Sequence, residues 1–270
     1  MLEGLRKLAG AIDRLLALRS GYVLLMGGEG RLAAAPPERF AHGWLGLMIL
    51  SLLWGLVLVN LWGGTWRLFH DYDPLIMPAM ATAGCFCLWA FCRGLVAIAE
   101  LIGGRDATAR AVAAAALVLA VGLCLARLRP DWHRGEFEIP WWLQPLRPQA
   151  KLYRVLLLMP IWGGWSMMIA GKFTRPGERT APQVAAFARG CGALPAAGCM
   201  AVPLVVSMAY FHYLGVGYQV AIPASAIVTA IGAGVALCRL TGGLNRRALL
   251  ATNVLTQMAF VMTFIAGQPT

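Results

Sequence analysis

Seven runs of mostly apolar residues, each about as long as a membrane-crossing helix, divide this chain. A helix of about 20 apolar residues crosses a hydrocarbon core about 30 Å thick. Hydrophobic residues make up 59% of the chain and charged residues 13%, which lies outside the range of soluble globular proteins. We therefore predict an all-α, polytopic integral membrane helix bundle of about seven transmembrane helices, at residues 43–66, 76–102, 107–127, 152–171, 191–213, 219–239 and 248–266.

A different pattern precedes the first run. From Leu2 to Leu15, leucine and isoleucine recur at helical spacing, and arginine and lysine stand between them. This pattern predicts an interfacial amphipathic helix over residues 1–26, lying along the membrane surface. Residues 27–42 are rich in glycine and proline, so we expect a linker there. Residues 43–270 then form the membrane domain.

The cations of the chain lie mainly in the connections between the apolar runs. With the amino terminus inside, the inner connections carry 15 lysines and arginines and the outer ones 7. This bias predicts a cytoplasmic amino terminus, and we expect the bacterial inner (plasma) membrane as the location. If segment 107–127 re-entered the membrane, the cation-rich segment 127–154 would also lie inside. The net charge of +11 favours contact with anionic lipid. It does not indicate nucleic-acid binding, because the chain has no basic stretch with interspersed aromatic residues.

One apolar run carries two opposite charges. Arg93 and Glu100 both lie in residues 76–102. A guanidinium at membrane depth costs about 2.5–3.5 kcal/mol on insertion scales, so such a residue marks a site or a buried ion pair. Seven residues put both side chains on one helix face about 10 Å apart, too far for a direct ion pair without a bridging water. An interhelical contact for Arg93 and an interfacial carboxylate for Glu100 are the structural alternatives.

Residue types that hold cofactors are scattered along the chain. The seven cysteines form no CxxC pair, and the four histidines lie at span ends or in a loop. Neither pattern favours a metal site or haem, so we expect no cofactor. A transport pathway requires several intramembrane ionisable groups or matching broken helices, and here one pair is present.

Small residues let helix backbones approach closely in lipid. We expect helix contacts at Gly163 and Gly164, at Gly192 with Ala196, and at Gly232 with Gly234.

Three segments together resemble one family of membrane enzymes. They are RGLVAIAELIGGRD at 93–106, LLLMPIWGGWSMMIAGKFTRPGERT at 156–180, and TGGLNRRALLATNVLTQ at 241–257. In sequence and order they resemble motifs of the cobalamin synthase family (adenosylcobinamide-GDP ribazoletransferase), which joins a nucleotide-activated corrinoid to α-ribazole or its phosphate. The resemblance implies a site on the cytoplasmic face, where the second span and loops 172–190 and 240–247 meet.

The chain departs from that family at the acidic positions. The family's carboxylates are expected to hold a divalent metal and the substrate phosphates. Their counterparts in the first motif are Arg93, Ala97 and Glu100. In the late motif the family's threonine, glycine, aspartate and glutamate correspond to Asn245, Arg246, Arg247 and Gln257. One carboxylate among arginines cannot hold Mg2+ in the family's manner, whereas guanidinium groups match phosphate oxygens.

The sequence thus favours a noncatalytic membrane component resembling cobalamin synthase. It would either scaffold protein partners, with Trp132, Trp141 and Trp142 as a docking surface, or bind an anionic ligand such as phosphate or a lipid headgroup. The expected ligand-binding residues are Arg93, Glu100, Asn245, Arg246 and Arg247, without metal. The first alternative is an active, Mg2+-dependent ribazoletransferase with Glu100 as a catalytic residue. The second is a small-molecule transporter.

Overall fold

The described part of the chain is helical throughout its regular structure. A computed structural model describes residues 17–27, 29–69, 82, 90–104, 106–128, 151–178 and 180–268. Two short 3-10 turns, Pro37–His42 and His212–Leu214, stand among the α-helices. The helices are α1 (Leu18–Met26), α2 (Glu29–Ala33), α3 (Gly43–Phe69), α4 (Ala90–Gly103), α5 (Ala107–Ala126), α6 (Lys151–Phe173), α7 (Pro182–Gly190), α8 (Ala193–Tyr210), α9 (Val216–Leu240) and α10 (Arg246–Ala266).

Six of the described helices are long and apolar enough to cross a membrane. They are α3, α5, α6, α8, α9 and α10, which coincide with six of the seven predicted runs. The predicted all-α fold is therefore confirmed, and its six long apolar helices are compatible with an integral membrane protein. About half of the remaining run, residues 76–102, lies outside the described residues, and its described part is residue 82 and all but the last residue of the 14-residue helix α4. The count of seven spans stays a prediction.

The segment before the first span has partly defined structure. Residues 1–16 lie outside the described part, so the amphipathic helix over residues 1–26 also stays a prediction. Its described end, α1, packs along α3 so closely that a Cβ on Gly21 would lie 2.6 Å from the Leu47 nitrogen. Within the predicted linker 27–42 the chain forms α2 and a 3-10 turn, which bury Leu32 and Phe40. This segment is thus packed against the bundle.

Helix α6 lies at the centre of the bundle. In its most apolar stretch 83% of the residues are buried, against 11% in α5. It contacts α3, α8, α9 and α10. Its indoles are fixed by hydrogen bonds to α8, because Trp162 Nε1 donates to the Ser207 hydroxyl and Trp165 Nε1 to the Ala196 carbonyl. A buried indole N–H requires such an acceptor.

The outer helices expose apolar side chains. Leu119 and Leu123 on α5, Val202 and Val205 on α8, and Val228 on α9 are each at least 60% exposed. A surface of this kind is stable only in an apolar solvent, which agrees with bilayer contact along these helices.

Candidate functional site

A cleft lies at the end of the bundle where α10 begins. Its volume is about 460 Å³. Four of the five residues that the sequence predicts as ligand-binding line it, while Arg93 is not among the described residues of its wall. The described lining consists of Leu32, Ala97, Glu100, Leu101, Ala181, Val184, Thr241, Asn245, Arg246 and Arg247.

Two loops in contact form one side of this end of the bundle. The turn before α10 contains Gly242 and Gly243, whose φ angles of 74° and 135° favour glycine. The Thr180 hydroxyl donates to the Leu244 carbonyl at 2.6 Å and accepts the N–H of Gly177 at 2.8 Å. The loop after α6 therefore holds the turn that leads into α10.

Asn245 caps the N-terminus of α10. Its backbone is extended and its Oδ1 accepts the N–H of Ala248 at 2.9 Å, while its Nδ2 donates to the Gly243 carbonyl at 3.2 Å. An asparagine in this position satisfies one of the N–H groups that a helix leaves open at its start. Because helix dipoles leave partial positive charge at this end, the cap places a positive helix terminus beside the cleft.

Arg246 is buried and connects α10 to α1. Its side chain is 4% exposed, and its Nε donates to the Leu24 carbonyl at 2.7 Å. Leu24 belongs to the last turn of α1, where helical carbonyls lack partners within the helix and favour a cation. Arg246 thus positions α1 against the start of α10, and it contributes positive charge to the wall of the cleft.

Arg247 carries its charge at the surface of the cleft. Its Nη1 lies 3.0 Å from Oε2 of Glu100, and the side chains are 66% and 26% exposed. An exposed ion pair of this kind contributes about 0–1 kcal/mol to stability. Arg247 is therefore accessible to a ligand, and Glu100 is the group with which an anion would compete.

Arg93 lies apart from this arrangement. It is half-buried and stands in the first turn of α4, two helical turns before Glu100. Sequence reasoning also missed Leu32, Ala181, Val184 and Thr241, whose residue types carry no signal for a site.

The predicted docking surface lies outside the described residues. It consists of Trp132, Trp141 and Trp142.

The chain matches no protein-family model, no curated protein and no solved structure.

The donor set of the cleft does not fit a divalent metal. Mg2+ requires oxygen ligands and is usually held by carboxylates and phosphates. Glu100 is the one carboxylate in the described lining, and it is already paired with Arg247. Elsewhere in the described residues, no group of three or more His, Cys, Asp or Glu side chains could hold a metal ion.

Proposed function

We propose that the cleft at the start of α10 binds the phosphate group of an anionic ligand and that the chain is a noncatalytic member of the cobalamin synthase family. The phosphate belongs either to a lipid headgroup or to a soluble compound. The observation that carries this proposal is the meeting of Asn245, Arg246 and Arg247 with Glu100 in one cleft.

The charges of the cleft favour an anion. Two guanidinium groups face one carboxylate among its described lining residues. The N-terminus of α10 adds partial positive charge, and a helix start of this kind commonly receives phosphate. The exposed fork of Arg247 can form two parallel hydrogen bonds to phosphate oxygens. A ligand phosphate that displaces Glu100 from Arg247 gives this guanidinium a new anionic partner in place of the carboxylate.

Metal-dependent transfer has no support in this arrangement. An active site that moves a nucleotide-activated group needs its phosphate charge neutralised by metal ions held on carboxylates. Four of the positions that resemble the family's acidic ones carry no carboxylate, and Glu100 alone remains; the four are Arg93, Ala97, Arg247 and Gln257. We therefore assign the cleft a binding role.

The family likeness also bears on orientation. Loop 172–190 and loop 240–247 contact each other through Thr180 and Leu244, and the end of α4 lines the same cleft. This grouping supports the cytoplasmic placement that the charge bias favours, because anionic lipid headgroups are abundant on that leaflet.

The Arg247→Gln variant tests the proposal. The full chain is placed in nanodiscs of phosphatidylcholine with a minor fraction of phosphatidylglycerol, and lipids that remain bound after release are measured by native mass spectrometry. Arg247→Gln should reduce retention of phosphatidylglycerol about three- to tenfold, since one charge-assisted hydrogen-bonding group is lost. Arg239→Gln, which removes an exposed arginine outside the cleft wall, is the matched control and should leave retention unchanged.

Added pyrophosphate separates the two ligand sources. If it displaces phosphatidylglycerol from the unaltered chain, the cleft accepts soluble phosphate compounds; if it does not, the headgroup is the ligand. Equal retention by Arg247→Gln and Arg239→Gln would refute the anion site. Formation of cobalamin or its phosphate from the activated corrinoid, dependent on Mg2+, would refute the noncatalytic assignment.

A further inference from the structure

We propose that a second cavity, between α1, α3, α6 and α10, binds an uncharged amphiphile that has an apolar body and one hydroxyl group. The cavity has a volume of about 210 Å³ and shares no described lining residue with the cleft. Leucine, methionine, valine, tryptophan and proline side chains form most of its wall, and the lining residues that carry polar side-chain groups are Tyr22, Ser51, Asn253 and Gln257, with Trp54. This site is independent of the proposed phosphate cleft.

Two carboxamides stand in the middle of a membrane span. Asn253 and Gln257 are one turn apart on α10, and their side chains are 8% and 4% exposed. Polar side chains at this depth cannot be solvated by lipid, so they must find partners within the protein or in a ligand.

The hydrogen bonds of this pair leave one acceptor unused. Gln257 Nε2 donates to Asn253 Oδ1 at 2.5 Å, and Asn253 Nδ2 lies 3.4 Å from the Met167 sulfur. Gln257 Oε1 is buried and has no hydrogen-bond partner among the described residues. A buried amide oxygen without a donor is unfavourable, and a ligand that brings a donor removes this cost.

Ser51 adds a second acceptor to the lining. Its hydroxyl proton is used, because Oγ donates to the Leu47 carbonyl at 2.8 Å within α3. The lone pairs of Oγ remain able to accept a hydrogen bond. These two acceptors, Gln257 Oε1 and Ser51 Oγ, favour an O–H donor on the ligand.

Helix α6 is shaped to admit these polar side chains. A Cβ on Gly163 would lie 2.6 Å from Gln257 Nε2, and one on Gly164 would overlap the Ser51 hydroxyl. Two consecutive glycines thus leave space for Gln257 from α10 and for Ser51 from α3. Any larger residue at either position would displace the polar group beside it.

The size and opening of the cavity indicate how the ligand is held. An apolar cavity of about 150 Å³ holds a benzene ring, and drug-sized ligands need about 300 Å³ or more. A volume between these values holds the head and first carbons of a longer molecule. Tyr22, Leu53 and Val57 at the mouth are 40–48% exposed on outer surfaces of α1 and α3, so the remaining chain can extend into the bilayer. No charged residue is in the described lining, which disfavours an ion.

Photolabelling with a long-chain alcohol tests this site. The full chain in phosphatidylcholine nanodiscs is irradiated with a dodecanol analogue that carries a diazirine, and labelled peptides are mapped by mass spectrometry. The label should fall on residues 22–26 and 50–57, and unlabelled dodecanol should compete for it. Dodecane and dodecyl methyl ether match dodecanol in their alkyl chain but lack the O–H donor. Both should therefore compete for the label at least about tenfold less well than dodecanol.

Two variants connect the labelling to the unused acceptors. Gln257→Met keeps the length of the side chain and removes Oε1, and should weaken competition by dodecanol about tenfold. Thr256→Val is the matched control, because Thr256 is also buried on α10 without a hydrogen bond from Oγ1 in the described residues but does not line the cavity. Dodecanol should compete for labelling of this variant as well as it does for labelling of the unaltered chain.

Ser51→Ala provides a second test if Gln257→Met does not fold. It removes the acceptor on the α3 side and should weaken dodecanol competition about threefold or more. Labelling away from the residues that line the cavity, equal competition by dodecane or the ether, or unchanged competition in both Gln257→Met and Ser51→Ala would overturn the proposal.

Discussion

Two adjacent arginines at the start of α10 have different surroundings. Arg246 is buried and donates to the last turn of α1, whereas Arg247 is exposed and pairs with Glu100. A helix turns about 100° per residue, so neighbours in sequence face different elements. Removal of Arg246 therefore affects how α1 packs, and removal of Arg247 affects mainly what the cleft can bind.

Cys191 gives a residue-level prediction about pH. It is fully buried between α7 and α8, and burial, with a smaller effect of Cys199, raises the pKa of its thiol. The folded state then keeps the proton above about pH 8.5, where the unfolded thiol ionises, so stability falls as pH rises. Relative to Cys191→Ala, the unaltered chain should lose about 1.4 kcal/mol of unfolding free energy between pH 7 and pH 9.5. Parallel denaturation profiles of the two proteins over this range would contradict the prediction.

At the scale of the element, packing around α6 depends on glycines of the neighbouring helices and of α6 itself. A Cβ on Gly55 of α3 would lie 2.5 Å from the Leu157 carbonyl oxygen, and one on Gly234 of α9 would lie 3.0 Å from the Ala170 Cβ. Such approaches let backbones pack closely where lipid provides no hydrophobic drive. They also explain why α6 is the most buried of the spans.

The pair Gly55→Ala and Gly64→Ala tests this packing within one helix. Both residues lie on α3, but a Cβ on Gly64 would meet nothing within 4 Å among the described residues. Gly55→Ala should destabilise the fold by about 1–3 kcal/mol, because it presses against backbone. Gly64→Ala should be neutral or stabilise by up to about 1 kcal/mol, through lower backbone entropy in the unfolded chain. Thermal unfolding in detergent measures both, and equal melting temperatures would rule out the close contact.

The elements themselves could be predicted well from apolar run length. The run predicted at 219–239 corresponds to Val216–Leu240, and the contacts expected at Gly163, Gly164 and Gly234 are confirmed. At Gly232 the described residues provide no such contact, since a Cβ there would have none of their atoms within 4 Å. Periodicity places small residues on a helix, but it does not show which face meets a neighbour.

At the scale of the whole molecule, the cleft was only partly predictable. The order of the motifs predicted that Glu100 lies near Asn245 and Arg247, because the connections that carry these residues are rich in cations and were expected on the same side of the membrane. The contributions of Leu32 and Val184 depend on how segments far apart in sequence fold over the bundle, and no local pattern encodes that. The intramembrane polar cluster at Gln257 was visible only as a departure from a family motif. Its depth and its unused acceptor required the tertiary structure.

The Glu100→Gln variant, with and without Mg2+, tests the central claim most directly. Retention of phosphatidylglycerol by the unaltered chain and by Glu100→Gln is measured by native mass spectrometry in EDTA and in added Mg2+. Removal of the competing carboxylate should raise retention about threefold or more, and EDTA should change neither protein. If binding instead requires Mg2+ and is lost in Glu100→Gln, Glu100 holds a metal and the cleft is not the metal-free anion site described above.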